Sequence, residues 1–127
     1  MKDKGKHLMI RKLNTIQKRE NLNEVYAIDD SGSGGANHLY AVHLSKSDHP
    51  ITIQFQNGTR TNPDSISGVL DTDLLEIVRD RLKSFQSGEF ATRENAIALT
   101  HIETALLWLN KRVEDRIERG VLGSNAK

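Results

Sequence analysis

The feature that most constrains this chain is a pair of amphipathic stripes in its second half, broken by one glycine. From Asp71 onward Leu74, Leu75, Ile77, Val78, Leu82 and Phe85 fall on one helical face. Asp71, Thr72 and Asp73 offer N-cap oxygens, and Glu76 stands three residues after Asp73, the spacing of a capping box. Gly88 ends this helix, Thr92 caps a second, and Gly120 is placed to terminate it as a C′ glycine. The second helix carries Leu99, Ile102, Leu106, Leu109, Val113 and Ile117 in steps close to a coiled-coil seam. At 1.5 Å per residue its ~27 residues span roughly 40 Å. One shorter helix cannot cover that length, so part of the apolar surface, Trp108 included, is expected to meet another subunit.

The first half reads differently. Ile51, Ile53 and Phe55 alternate with Thr52, Gln54 and Gln56, the period of a half-buried strand over Ile51–Gln56. Asn57-Gly58 follows as a turn signal. Further strands are expected around Leu8–Leu13, Asn23–Ile28 and His38–Leu44, with the run Ser31–Gly35 as a loop or hairpin tip. The expected fold is therefore α+β: an N-terminal antiparallel β-sheet, then a C-terminal helical hairpin with one long helix, oligomeric. The expected division is a basic tail or short strand over 1–20, a β region over 21–70, a hairpin over 71–122 that binds ligand and oligomerises, and a tail over 123–127.

Composition excludes several classes. A chain of 127 residues with three Phe, two Tyr and one Trp has a thin core, and association with further copies is a natural supplement. The net charge of +1 does not suit a binder of polymeric nucleic acid, and the absence of cysteine excludes disulfides and thiolate chemistry. No apolar run of about 18 residues is present, so no membrane span is expected. The basic start, Met1–Leu13, lacks the apolar stretch of a signal peptide.

Four constellations could carry function. Arg112, Arg116 and Arg119 share a helical face and would suit phosphate oxygens. The alternative is a solvated face with Arg112–Asp115 and Asp115–Arg119 ion pairs. At the junction 85–95, Phe85 and Phe90 flank the glycine turn while Arg93, Glu94 and Asn95 open the second helix. A helix start attracts anions, an aromatic can stack on a base, and Asn can bond a base or ribose edge. The alternative is that both Phe side chains are core. Gly32–Gly35 matches neither a Walker loop nor a dinucleotide fingerprint and reads as a flexible loop. His7, His38, His43, His49 and His101 are dispersed, with no helical zinc spacing and no nucleophile elbow, so neither a metal nor a catalytic residue is expected.

The hairpin also carries a long specific string, Phe90-x-x-Arg93-Glu94-Asn95-Ala96, then Ala98-Leu99-Thr100, Glu103, Ala105-Leu106, Trp108-Leu109, Arg112, Asp115-Arg116 and Arg119-Gly120-Val121-x-Gly123. Together with Asp73–Leu82 and Phe85–Gly88, this stretch resembles the phage helical hairpin shared by the Thoeris anti-defence sponge (type-one) family and the anti-CBASS sponge family. The sheet-like first half favours the Thoeris type. The resemblance implies a phage protein in the cytoplasm of the infected bacterial host that binds glycocyclic ADP-ribose without cleaving it. It implies homo-oligomers, dimers or hexamers, some holding CBASS cyclic di- and trinucleotides at separate sites, and no cofactor. Carried onto this sequence, it implies Phe85 as the adenine-stacking residue and Asn95 and Arg112 as contacts to riboses and phosphates. Arg93 and Arg116 follow in the same string, and Arg60 is a phosphate contact from the β half. A nucleotide-degrading enzyme or a purely structural oligomerisation module are the rival readings.

Overall fold

The computed structural model describes residues 10–122. These fall into two compact units that meet between Gly68 and Val69. The first is an antiparallel sheet of four strands, β1 (Arg11–Lys12), β2 (Asn23–Ala27), β3 (Leu39–Leu44) and β4 (Ile51–Gln54), in the order β1-β2-β3-β4. The second is a helical hairpin, α1 (Asp71–Gln86) and α2 (Arg93–Glu118). The α+β architecture with one long helix is thus as expected. Of the two expected tails, the structure describes only residues 10–20; residues 1–9 and 123–127 lie outside the described range. No described helix is long and apolar enough to cross a membrane.

Register sorts the sheet into two unlike faces. Val25 stands opposite Val42, which stands opposite Ile51; Ala27 opposes Tyr40, which opposes Ile53. Those side chains share one face, since directly opposed residues point the same way. Phe55 extends this face and meets Tyr40 edge-on at 5.6 Å. On the opposite face Glu24 bridges two neighbours, accepting from Lys12 Nζ at 2.8 Å and from the Tyr26 hydroxyl at 3.1 Å, while Tyr26 meets His43 edge-on. Only Ala27 and Ala41 are fully buried apolar residues among those described, which confirms how thin the core is.

β4 ends two residues before the expected Gln56. Phe55 N–H still bonds His38 O, but the Gln54 amide also donates to His38 O and to Phe55 O, and the ladder gives way there to local bonding. Asn57 and Ile66 then pair through both their N–H groups and close a compact loop, with Gly58 at φ +92° as the turn residue. Gly68 is required for a different reason. A Cβ there would lie 2.3 Å from Gln54 O, so only glycine lets the chain pass.

The β2–β3 connection is organised by Asp29. Its carboxylate accepts from His38 N–H at 3.0 Å and from the Asn37 amide, whose nitrogen also donates to Asp29 O. Burial raises the Asp29 pKa, but bonds from the His38 and Leu39 N–H groups and from Asn37 outweigh it and hold the group below the usual carboxylate value. Inside the loop, Ser33–Gly35 makes a single 3-10 turn, with Gly34 and Gly35 at positive φ. The loop expected at Gly32–Gly35 is therefore a defined turn.

The start of α1 departs from expectation by three residues. The N-cap is Leu70, and Asp73 is the N3 residue whose Oδ2 accepts Leu70 N–H at 2.8 Å. Asp73 thus reaches back to the cap instead of being the cap, and Glu76 is released to pair with Arg79 at 3.2 Å. The end of α2 follows expectation. Gly120 at φ +70° donates to Ile117 O, and Val121 N–H to Arg116 O, both at 3.0 Å, a Schellman closure.

Two outcomes test this account. Asp29→Ala should cost about 1–3 kcal/mol of stability, read by chemical denaturation. Because the folded-state pKa of Asp29 is depressed, its contribution should be complete above the unfolded value near 3.8 and disappear as pH falls through the folded value. Gly68→Ala should destabilise by about 1–3 kcal/mol through backbone overlap, whereas Gly34→Ala meets no neighbouring atom and strains only its own φ.

Candidate functional site

The hairpin turn sets the first group of candidate residues. Gln86 closes α1, and its Oε1 accepts the Thr92 N–H at 3.0 Å across the turn. Thr92 Oγ1 in turn accepts Asn95 N–H at 3.0 Å, capping α2. This short relay ties the last turn of α1, which carries Phe85, to the first turn of α2, which carries Arg93 and Asn95. Neither phenylalanine is core. Phe85 is 36% exposed and Phe90 67% exposed. Aromatic rings, a helix N-terminus and an amide side chain are the groups with which a base, phosphate and ribose can each pair.

The second group lies far along the same helix. Arg112 is seventeen residues beyond Asn95 on an unbroken helix, about 25 Å at 1.5 Å per residue. Phe85 and Asn95 are therefore not brought together with Arg112 within one copy. The three arginines expected on one face also differ in state. Arg119 pairs with Asp115 at 3.2 Å, the i,i+4 bridge anticipated for a solvated face. Arg116 is 7% exposed and donates from Nη2 to Val121 O at 3.1 Å, so its side chain secures the same helix end that its carbonyl closes. Arg112 is exposed and forms no ion pair with any described residue; the anticipated Arg112–Asp115 pair is absent. Arg60 belongs to the other unit, exposed in the loop that Asn57 and Ile66 close.

An open cavity of about 680 Å³ lies elsewhere on the hairpin, where Thr72 and Asp73 of α1 face Asn110 and Val113 of α2. None of the candidate ligand residues lines it. Its charged lining is Asp73, Glu76 and Glu103 against Arg79 alone, and Arg79 is already held by Glu103 at 2.8 Å and by Glu76. Three carboxylates around one saturated guanidinium repel a phosphate, so this cavity is the wrong place for an anionic ligand. The Arg79–Glu103 bridge between the two helices was not legible beforehand, since it joins residues 24 apart in sequence. Among the described residues no cluster of three or more His, Asp or Glu could hold a metal ion.

The hairpin has no apolar residue fully buried among those described. Leu99, Ile102, Leu106 and Leu109 are half-buried, but Val113 and Ile117, farther along the stripe, are exposed. α1 has 16 residues to the 26 of α2 and covers only part of it. Leu107 and Trp108, at 71% and 65% exposure, add a second apolar strip, with Lys111 Nζ 5.2 Å from the Trp108 ring centre.

These features define a class: a short antiparallel sheet followed by a capped helical hairpin with polar and aromatic groups displayed at the turn. The family model described as "Acb2/Tad1, hairpin domain" matches residues 47–114, more than half of the chain. The chain belongs to this family, as the resemblance of its hairpin string implied. Arg60, Phe85, Arg93, Asn95 and Arg112 lie within the match, and Arg116 just beyond it. A protein named "Thoeris anti-defense 1", from Bacillus phage SBSphiJ7, is 47% identical over 76 residues, which cover 60% of this chain and 53% of that one. The chain thus matches about half the length of that relative.

The different states of Arg112 and Arg116 give a separable outcome. Arg112→Ala should leave the melting temperature essentially unchanged, as surface substitutions do. Arg116→Ala should cost about 1–3 kcal/mol by removing the Nη2–Val121 O hydrogen bond, read by thermal unfolding followed by circular dichroism.

Proposed function

We propose that this is a phage anti-defence protein that binds and sequesters a cyclic ADP-ribose-type immune signal, glycocyclic ADP-ribose, and leaves its bonds intact. It acts in the cytoplasm of the infected bacterial host. The observation that carries the reading is the presentation of Phe85 and Asn95 at the turn of a hairpin whose family includes anti-defence proteins. Phe85 stacks on the adenine. Asn95 bonds a ribose edge, Arg93 and the start of α2 attract phosphate, and Arg112 forks onto the phosphate oxygens. Arg116 holds the end of α2 in place for Arg112, and Arg60 supplies a phosphate contact from the β unit.

The 25 Å separation along α2 favours a second copy in the site. In one protomer Arg112 cannot reach a small cyclic nucleotide seated on Phe85. Two hairpins packed antiparallel bring Arg112 of one beside the turn of the other, and the exposed Leu107, Trp108, Val113 and Ile117 supply the apolar surface for that packing. Sequestration also favours this arrangement. Groups held rigidly by a helix pair lose little freedom on binding, so more of the contact energy appears as affinity. Assembly of dimers into a hexamer would create further sites for CBASS cyclic di- and trinucleotides. No general base is needed, because the ligand is held rather than cut.

Two measurements test the proposal. The protein incubated with glycocyclic ADP-ribose and then heat-denatured should release the ligand unchanged. A linear product would identify a degrading enzyme instead. The double substitution L107E/W108A should reduce the assembly to smaller species in light scattering and lower affinity together. A variant that remains assembled and binds normally would separate the site from the apolar strip.

A further inference from the structure

Among the hairpin arginines that lack a carboxylate partner among the described residues, Arg81 also lies against an aromatic ring. Arg79 is saturated by Glu103 and Glu76, Arg119 is paired with Asp115, and Arg116 is buried against Val121 O. Arg81 has no such partner. Its neighbours one turn away along α1 are Ile77, Val78, Ser84 and Phe85, so no carboxylate stands at i±3 or i±4. Among the described residues it forms no ion pair. Its guanidinium instead lies over the Phe85 ring, with Cζ 5.4 Å from the centroid.

A guanidinium is planar, weakly hydrated and always charged, and it stacks on an aromatic face much as a base does. It therefore occupies the surface that the preceding section assigns to the ligand's adenine, and it is the nearest unpaired cation to that surface on the same helix. We infer that Arg81 is a further ligand-binding residue, a placeholder that covers the Phe85 face in the free protein and turns onto a ligand phosphate when a purine takes its place. This rests on the reading of Phe85 as a base-stacking residue.

Three physical consequences follow from the exchange. The aromatic face stays covered while no ligand is bound, which limits the cost of displaying Phe85. The ring is held in one orientation, so it is pre-set for stacking. The displaced cation exchanges a cation–π contact for a charge-assisted hydrogen bond to phosphate, the stronger of the two when water is excluded. A ligand that offers a base without a phosphate gains the stacking but strands the cation, so the device selects for nucleotides over nucleosides.

The experiment is calorimetric titration of the full chain with glycocyclic ADP-ribose at low and high salt, comparing the native protein with Arg81→Met, Arg81→Lys and Phe85→Ala. Arg81→Met retains an unbranched side chain over the ring and should bind at least about tenfold more weakly, the scale of one lost charge-assisted bond. Its affinity should also depend less steeply on salt, a change that a role in helix packing alone would not produce. Arg81→Lys keeps the charge and should retain the native salt dependence with an intermediate loss. If Phe85→Ala abolishes binding while Arg81→Met matches the native protein in affinity and salt dependence, Arg81 is only a surface pair and the inference falls, with the function left standing. If the native protein itself binds no ligand, both fall together.

Discussion

The rest of this molecule depends on the mismatch in length between its two helices. α2 runs 26 residues and α1 only 16, and no apolar side chain of the described hairpin is fully buried. A two-helix hairpin buries one seam at most, and here even that seam is only half covered. Among the apolar residues left exposed on α2 are Leu107, Trp108, Val113 and Ile117. Burial of such surface is worth about 25 cal/mol per Å², which favours packing against a second hairpin. The same mismatch places the turn residues and Arg112 at distant points of one helix. In the function proposed above, the copy that would cover the apolar strip is also the one that would deliver Arg112.

Polar side chains on the hairpin divide into those that hold the frame and those without a carboxylate partner among the described residues. Arg79, bound by two glutamates, clasps α1 to α2. Gln86 and Thr92 fix the turn, Asp73 secures the start of α1, and Arg116 secures the end of α2. Once these are assigned, the arginines Arg81, Arg93 and Arg112 remain without a carboxylate among the described residues, together with the exposed rings of Phe85 and Phe90. Of these, Arg81 lies over the Phe85 ring, with Cζ 5.4 Å from its centroid. The cavity lined by Asp73, Glu76 and Glu103 has the opposite character, and its volume is no guide to where an anion binds.

The β unit shows how little core is needed when backbone bonding is well arranged. Two alanines are fully buried, yet three local devices fix the sheet: the Asp29 carboxylate across the β2–β3 connection, the Asn57–Ile66 pairing, and the glycine at position 68 that passes against the backbone of Gln54 and Phe55. Each replaces side-chain packing with a hydrogen bond or a close approach that only one residue type permits. Arg60 is displayed on the loop closed in this way, which holds local bonds such as Asp64 N–H to Asn62 Oδ1.

The sequence by itself determined what is periodic or local. The alternation Ile51-Thr52-Ile53-Gln54, the stripe from Leu99 to Ile117, the Thr92 cap and the Gly120 closure were all legible, because each depends on spacing within a few residues. The string around Arg93–Asn95 likewise marked the family before any coordinates. Only the tertiary structure could decide that Leu70 and not Asp73 caps α1, or that Arg79 reaches Glu103 on the other helix. It also decided that Arg116 turns inward while Arg112 stays open, and that the exposed Arg81 lies over the Phe85 ring. These outcomes rest on which of several equally charged side chains finds a partner in space. Spacing along the chain is silent on that choice, because a guanidinium one turn away from another has the same local pattern and a different neighbour once the helices pack.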